Sequence, residues 1–382
     1  MNITNWAIRV QEDTQEISAE IDGFRLWYRL PKAYPVSRAG DPFLAAALFP
    51  AMLEGKGLKM APSLSVSPRL LENLSKLQEI HHCWNPILKI ISMNATAKAA
   101  TPLNEGAMSF FSGGVDSVFT FLKHRQELTH VVFINGFDFF LDEGTYQRAV
   151  ARNACFVGGF GKTLIPVETN YYDFGFHHNL GRELTQSSNL AGVALLLGFP
   201  RTYVPSSYSY NELRPWGSHP LTDPLYSHEA TEIMHDGAEE NRVGKIVKIS
   251  ECGPALAILT VCLNDINSNC GKCSKCLRTM VSLELLGVTA SRFPPLPPLR
   301  ALGRMHWRTE LTFLKNNIDL AVRQGDEGLR NALLSGWRRY ERTKLVREID
   351  RVIMGGLAKR IYRKITKSPP RIVRIGVTPR NE

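Results

Sequence analysis

The sequence predicts an α/β protein: a parallel sheet flanked by helices, preceded by a small α+β module and followed by a helical extension. Three observations carry this. Between residues 105 and 290, short apolar runs alternate with helical stretches, the pattern of a parallel sheet covered on both faces. Residues 1–104 hold short alternating strands and two capped helical runs. Then Phe293-Pro-Pro-Leu-Pro-Pro-Leu299 must be extended, because proline fixes φ and blocks a helix. The expected divisions are therefore 1–104, 105–292 and 293–382.

In the first part, Trp6–Gln11, Glu16–Ile21 and Phe24–Tyr28 alternate as strands. Asp41 before Pro42 predicts a cap and first helical residue for the run to Leu53. Ser67 caps a second helix from Pro68 to about His81, with Leu70, Leu71, Leu74 and Leu77 on one face. Pro86 to Met93 reads as a strand. In the second part, Ala107–Phe111, Val131–Asn135, Thr163–Val167 and Arg201–Val204 read as strands. Val118–Leu128, Thr145–Phe156, Glu183–Leu197 and Leu277 to about Leu286 read as helices. In the third, helices are expected at about 304–316 and 328–364.

A chain of 382 residues suits two or three domains at roughly 150 residues each. With 44% apolar and 21% charged residues it can bury an ordinary core. It has no run of about 18 apolar residues, which argues against a membrane-spanning helix. Met1–Val10 lacks the basic and apolar regions of a secretory signal, so a cytoplasmic location is expected. The net charge of +10 resides in residues 337–382, with 14 Lys+Arg against 4 Asp+Glu; residues 1–336 hold 32 of each sign. That balance excludes a protein-wide nucleic-acid footprint, and only the basic tail could grip nucleic acid or acidic lipid.

Three segments carry candidate chemistry. Ser112-Gly113-Gly114-Val115-Asp116-Ser117 lies between a strand and a helix. Its glycines let backbone approach an anion, and the helix start supplies N–H groups and a positive dipole end. Asp116 is an acid where an anion is expected, which fits a bridging Mg²⁺. A plain capped glycine turn is the alternative. Gly161-Lys162-Thr163 imitates the end of a Walker A motif, but Phe156 stands where that motif needs glycine.

Cys262-x7-Cys270-x2-Cys273-x2-Cys276 places four of the seven cysteines within fifteen residues. This donor set suits a closed, tetrahedral, structural Zn²⁺; a redox pair, an iron–sulfur cluster and plain buried thiols are the alternatives. Between these motifs, residues 206–228 are dense in polar and aromatic groups and follow a strand, where a parallel sheet places ligands. Ser207, Arg214 and Trp216 are the candidate substrate contacts: Arg214 for a carboxylate or phosphate, Trp216 for a ring. His219 is the candidate acid or base. A solvated polar loop is the alternative, and Asn170 and the pairs His81-His82 and His177-His178 are lesser candidates.

The Ser112–Ser117 segment resembles the phosphate loop of the N-type ATP pyrophosphatases, the PP-loop enzymes. The cysteine pattern resembles the 7-cyano-7-deazaguanine synthase-like members, although their first gap has eight residues and this one has seven. The resemblance spans about residues 105–290. It implies an adenine-nucleotide alpha-hydrolase-like sheet, with Ser112, Gly113, Gly114, Val115, Asp116 and Ser117 holding the pyrophosphate of ATP. It maps a second nucleotide contact loosely onto Asn135-Gly136-Phe137-Asp138, with Asp138 as the contact. It also implies a structural zinc on the four cysteines. The expected activity is adenylylation of a small-molecule substrate, a carboxylate by preference, with pyrophosphate release and then attack by ammonia or an amine. Asp116, Ser117 and His219 are its candidate catalytic residues. An RNA-modifying or sulfur-inserting PP-loop enzyme and a non-catalytic nucleotide-binding regulator are the rival readings.

Overall fold

The computed structural model describes residues 1–137, 141–262, 267–304 and 311–353. The chain forms two compact units, one of residues 1–239 and one starting at Glu240. These divide the chain once, at 239/240, whereas the sequence pattern suggested divisions at 104/105 and 292/293.

The first unit opens with strands β1 (Asn2–Gln11), β2 (Thr14–Ile21) and β3 (Phe24–Pro31). They form an antiparallel meander. Asp22 and Gly23, at φ 46° and 85°, make the β2–β3 turn, the left-handed pair that suits a two-residue hairpin. Ile17, Ala19 and Ile21 of β2 and Leu26, Tyr28 and Leu30 of β3 alternate into the core.

Helix α1 (Asp41–Glu54) is buried along nearly its whole length, as its all-round apolar sequence requires. Gly55 closes it at φ 68°. Asp41 is the first helical residue rather than the cap, and its carboxylate accepts the Ser67 N–H at 2.9 Å. There follow β4 (Leu58–Met60), β5 (Ser65–Val66), α2 (Pro68–Trp84), β6 (Met93–Asn94) and β7 (Thr96–Ala97). The strand expected at Pro86–Met93 is confined to its last residue. Pro86 has no N–H, Asn85 accepts from Ile87 N and Leu88 N, and Lys89 N and Ile91 N bond to Met52 O and Gln78 Oε1. The segment thus spends its donors on a turn and on helix partners.

The chain continues with β8 (Ala107–Phe110), α3 (Val115–His124), β9 (Leu128–Asn135), α4 (Glu143–Gly158), β10 (Thr163–Thr169), α5 (Tyr171–His177), α6 (Arg182–Leu197), β11 (Arg201–Pro205) and β12 (Glu232–Asp236). The helix expected at Val118–Leu128 starts three residues earlier and ends at His124, because Leu128 already belongs to β9.

All but β5 and β7 join one ten-stranded sheet of order β12-β11-β8-β9-β10-β3-β2-β1-β4-β6. The five strands from β12 to β10 are parallel throughout. The meander continues this sheet through antiparallel pairing of β3 with β10, at Arg29–Glu168 and Tyr28–Thr169. The result is an α/β fold with a large, mostly parallel central sheet. The chain runs outward from β8 through β9 to β10, then returns to the other side of β8 for β11 and β12. β8 is therefore the topological switch point, where open α/β sheets take ligands beyond the carboxyl ends of the strands.

The second unit holds α7 (Arg242–Ser250), α8 (Gly253–Ile258), α9 (Ser274–Leu285), α10 (Leu299–Arg304), α11 (Leu311–Gln324) and α12 (Glu327–Ile353). Leu277, Val281 and Leu285 of α9 form a core with Leu314 and Ile318 of α11 and Leu329 and Leu333 of α12. Residues 354–382, most of the basic tail, lie outside the described residues. Among the described residues no helix is long and apolar enough to cross a membrane.

Candidate functional site

The loop from Ser112 to Ser117 leaves the carboxyl end of β8 and enters α3. Gly113 sits at φ 77°, a left-handed conformation that a side chain makes costly. Gly114 caps α3 without any side-chain cap bond. Ser117 Oγ closes the loop on itself: it accepts Ser112 N at 3.1 Å, donates to Gly114 O at 3.0 Å and lies 3.2 Å from Ser112 Oγ. Ser117 is buried, Ser112 is exposed, and Asp116 is half-buried in the first helical turn. Both serines thus hold the loop: Ser117 from inside, and the exposed Ser112 through its Oγ, which accepts Gly114 N at 3.3 Å. A first helical turn with no side chain capping it is a general anion site.

β9 runs beside β8 and ends at Asn135, followed by Gly136 at φ 89°. Asn135 Oδ1 accepts Leu141 N at 2.9 Å. Asp138, the expected second nucleotide contact, lies outside the described residues.

β11 is the other neighbour of β8, and the polar segment that follows it begins at the same edge of the sheet. There the Arg214 guanidinium lies against two rings, 4.8 Å from the centre of Tyr208 and 5.0 Å from that of Trp216, which meet each other edge-on at 5.9 Å. Its Nη2 donates to Tyr208 Oη at 2.6 Å. Trp216 Nε1 donates to Gln186 Oε1 at 3.0 Å. Arg214 and Trp216 are therefore brought together with Tyr208 as one cluster, and Ser207 is half-buried beside Tyr208 in the chain.

His219 is buried, 6% exposed, and its Nδ1 accepts Leu221 N at 3.1 Å, which places its proton on Nε2. Burial lowers its pKa, with His235 acting in the same direction and Asp223 opposing. Its ring meets Trp84 at 5.0 Å. The hub beneath it is Asp223, fully buried, which accepts Ser187 Oγ at 2.5 Å, Ser218 Oγ at 2.8 Å, His219 N at 3.0 Å and His235 Nδ1 at 2.7 Å. The other ring nitrogen of His235, Nε2, is buried and has no hydrogen-bond partner among the described residues.

Its neighbour Asp236 bonds instead to α3, through Thr120 Oγ1, Lys123 Nζ and His124 Nε2, each at 2.8 Å. Successive strand residues point to opposite faces, so α3 and the Asp223 hub lie on opposite sides of the sheet. Burial opposes ionisation of Asp236, but the three donors outweigh it and pull its pKa down to about 2. His124 is raised in turn, because Asp236 and Glu127 outweigh burial. Asp236 and His235 were not singled out by the sequence; only their position at the end of a strand after the polar segment could have marked them.

The lesser candidates have structural partners. Asn170 donates to Arg25 O and accepts Trp27 N, joining β10 to β3. His81 is buried against Phe49 and Trp84, and His178 pairs with Glu54 at 3.5 Å.

In the second unit, the ligand atoms of Cys262, Cys270, Cys273 and Cys276 lie within 4.8 Å of one another. Sulfur separations are 3.4 Å (273–276), 3.9 Å (262–273) and 3.9 Å (270–276). Four sulfurs at about 2.3 Å from a tetrahedral zinc would stand about 3.8 Å apart, whereas a disulfide requires about 2.05 Å. Gly271, at φ 64°, turns the first Cys-x2-Cys, and Lys272 N and Cys273 N point at Cys270 Sγ. These N–H groups outweigh burial and draw the Cys270 thiol down to about 7. Cys276 N points at Cys273 Sγ, which caps α9. Burial foremost, then Cys273, pushes the Cys276 thiol up, so a cation is what would let all four sulfurs ionise together. Asn269 braces the knuckle by accepting Val261 N and donating to Leu259 O, both at 2.9 Å. The donor set, spacing and N–H···S contacts fit a structural zinc.

Fold and site together define an α/β protein with a glycine loop at the switch point of its sheet and, in a second unit, a four-cysteine cluster. Compared with protein-family models, with curated proteins and with solved structures, the chain matches none.

Proposed function

We propose that the protein is an ATP-dependent enzyme of the PP-loop type that adenylylates a small-molecule carboxylate and transfers the acyl group to ammonia or an amine. The observation that carries this reading is the glycine loop: it leaves the switch-point strand and opens a helix whose start no side chain caps. A substrate oxygen attacks the α-phosphorus of ATP, the bond to the bridging oxygen breaks, and pyrophosphate leaves. The amine then attacks the acyl carbon and AMP departs. The loop N–H groups and the α3 dipole stabilise charge on the leaving pyrophosphate, so catalysis is positioning and electrostatics. Ser112 would donate to a phosphate oxygen, and Asp116 would hold Mg²⁺, which would supply charge neutralisation. The Tyr208–Arg214–Trp216 cluster supplies positive charge beside ring surface, which suits an anionic substrate. Zinc on Cys262, Cys270, Cys273 and Cys276 would be structural.

Pyrophosphate release across a panel of carboxylic acids, with Mg²⁺ATP and ammonia, tests the reading. At least one acid should stimulate release, and Asp116→Ala should reduce that rate by about 10²-fold or more. Equal activity of Asp116→Ala would remove the loop from the mechanism.

A further inference from the structure

We infer that Asp236, at the carboxyl end of β12, is a positioning residue that couples the phosphate loop to the substrate segment after β11. The inference rests on the nucleotide reading above. The two loops leave adjacent parallel strands, yet they must hold their reactants at a fixed separation, because in-line attack needs reacting atoms about 3–3.5 Å apart.

Asp236 reaches both. Its carboxylate receives Thr120 Oγ1, Lys123 Nζ and His124 Nε2 from the middle and last turn of α3, each at 2.8 Å. α3 has ten residues and begins with Val115, Asp116 and Ser117, so fixing its far half fixes the tilt of the end that faces the phosphates. His124 stacks on Tyr203 of β11 at 3.9 Å between ring centres, which holds the imidazole on the carboxylate.

The main chain of the same residue carries the other loop. Ser206 N donates to Asp236 O at 2.7 Å, and Tyr210 N donates to Ala238 O at 2.7 Å. The chain just beyond β12 is thus the rail along which residues 206–210 lie. The charged neighbours share the donors but not the reach: Glu239 takes Lys123 at 2.5 Å, and Glu127 takes His124 at 2.6 Å and Arg201 at 2.9 Å. Asp236 is the buried member, 7% exposed. A side chain that binds one loop's helix and a carbonyl that binds the other loop make one residue the rigid link between them.

Amide hydrogen exchange with and without Mg²⁺ATP tests this in the wild type, Asp236→Asn and Glu239→Gln. In the wild type, nucleotide should slow exchange at 113–117 and, through Asp236, at 206–210. Asp236→Asn should keep slowing at 113–117 but lose at least half of it at 206–210, while Glu239→Gln behaves as wild type. Undiminished slowing at 206–210 in Asp236→Asn overturns the inference. If Asp236→Asn does not fold, Thr120→Val replaces it, with the same prediction at reduced size. If wild type shows no response to Mg²⁺ATP, the nucleotide reading fails, and the nucleotide-free exchange decides the coupling separately. Asp236→Asn must then speed exchange at both segments together; unchanged rates, or a change in one only, overturn it.

Discussion

Asp236 also sets a pH dependence. Its folded pKa, about 2, lies below the ordinary 3.8, so its contribution to stability is complete above pH 3.8 and is lost as pH falls through about 2. His124 has the opposite sign. Its raised pKa gives stability that is complete below the ordinary 6.5 and is lost as pH rises through the folded value. Unfolding by denaturant should therefore show Asp236→Asn less stable than wild type at pH 5, with the gap shrinking between pH 3.8 and pH 2. A gap that stays constant down to pH 2 would detach the carboxylate from its three donors. None of this was readable from the sequence: Thr120, Lys123 and His124 are separated from Asp236 by more than 110 residues. The glycine loop was readable at this scale, because Gly113 and Gly114 stand between an apolar run and a helical pattern. Arg214 and Trp216 were readable as residue types, while their packing with Tyr208 depends on how the loop folds back.

Among the elements, α2 shows how local and distant signals combine. Ser67 caps it as the sequence implies, accepting Leu70 N at 3.0 Å. A second cap comes from Glu229, whose carboxylate accepts Ser67 Oγ at 2.6 Å, Arg69 N at 3.1 Å and Ala100 N at 3.2 Å. This second cap was not legible in the sequence, because a partner some 160 residues away leaves no local trace. Glu229→Ala should cost about 1–2 kcal/mol in denaturant unfolding, since it removes three bonds to one anionic group. An unchanged midpoint would show that water replaces it. Leu74, fully buried on the predicted face, should cost about 2–5 kcal/mol as Leu74→Ala. Strands with alternating burial, such as β2 and β3, were legible. β12 was missed because Glu232-Ile-Met-His-Asp236 carries three polar residues, each with its own structural partner or solvent. Helices α7 and α8 were missed as well, since each is short and bounded by Asn241 or by Pro254 rather than by a long periodic run.

Over the whole molecule, the α/β class and the parallel character of the central sheet followed from alternation alone, while the strand order did not. The joining of the N-terminal meander to the same sheet did not, because β3 pairs with β10 only at Arg29–Glu168 and Tyr28–Thr169. The cysteine cluster was the most legible feature, since its spacing is local. Metal analysis of the purified chain should find one zinc per molecule. Structural zinc supplies about 10–16 kcal/mol in small modules, so chelation should unfold the α9 region before it affects the first unit. Finding neither zinc nor iron after expression with metals supplied would leave four ordinary thiols. The central claim is that the bend from β8 into α3 grasps a triphosphate. Calorimetric titration with Mg²⁺ATP of wild type and Gly113→Val tests it most directly, since a branched side chain at φ 77° must distort that bend. The account predicts saturable binding to wild type and at least tenfold weaker binding to the variant while both keep the same fold. Equal affinity, or no binding by either, would contradict it.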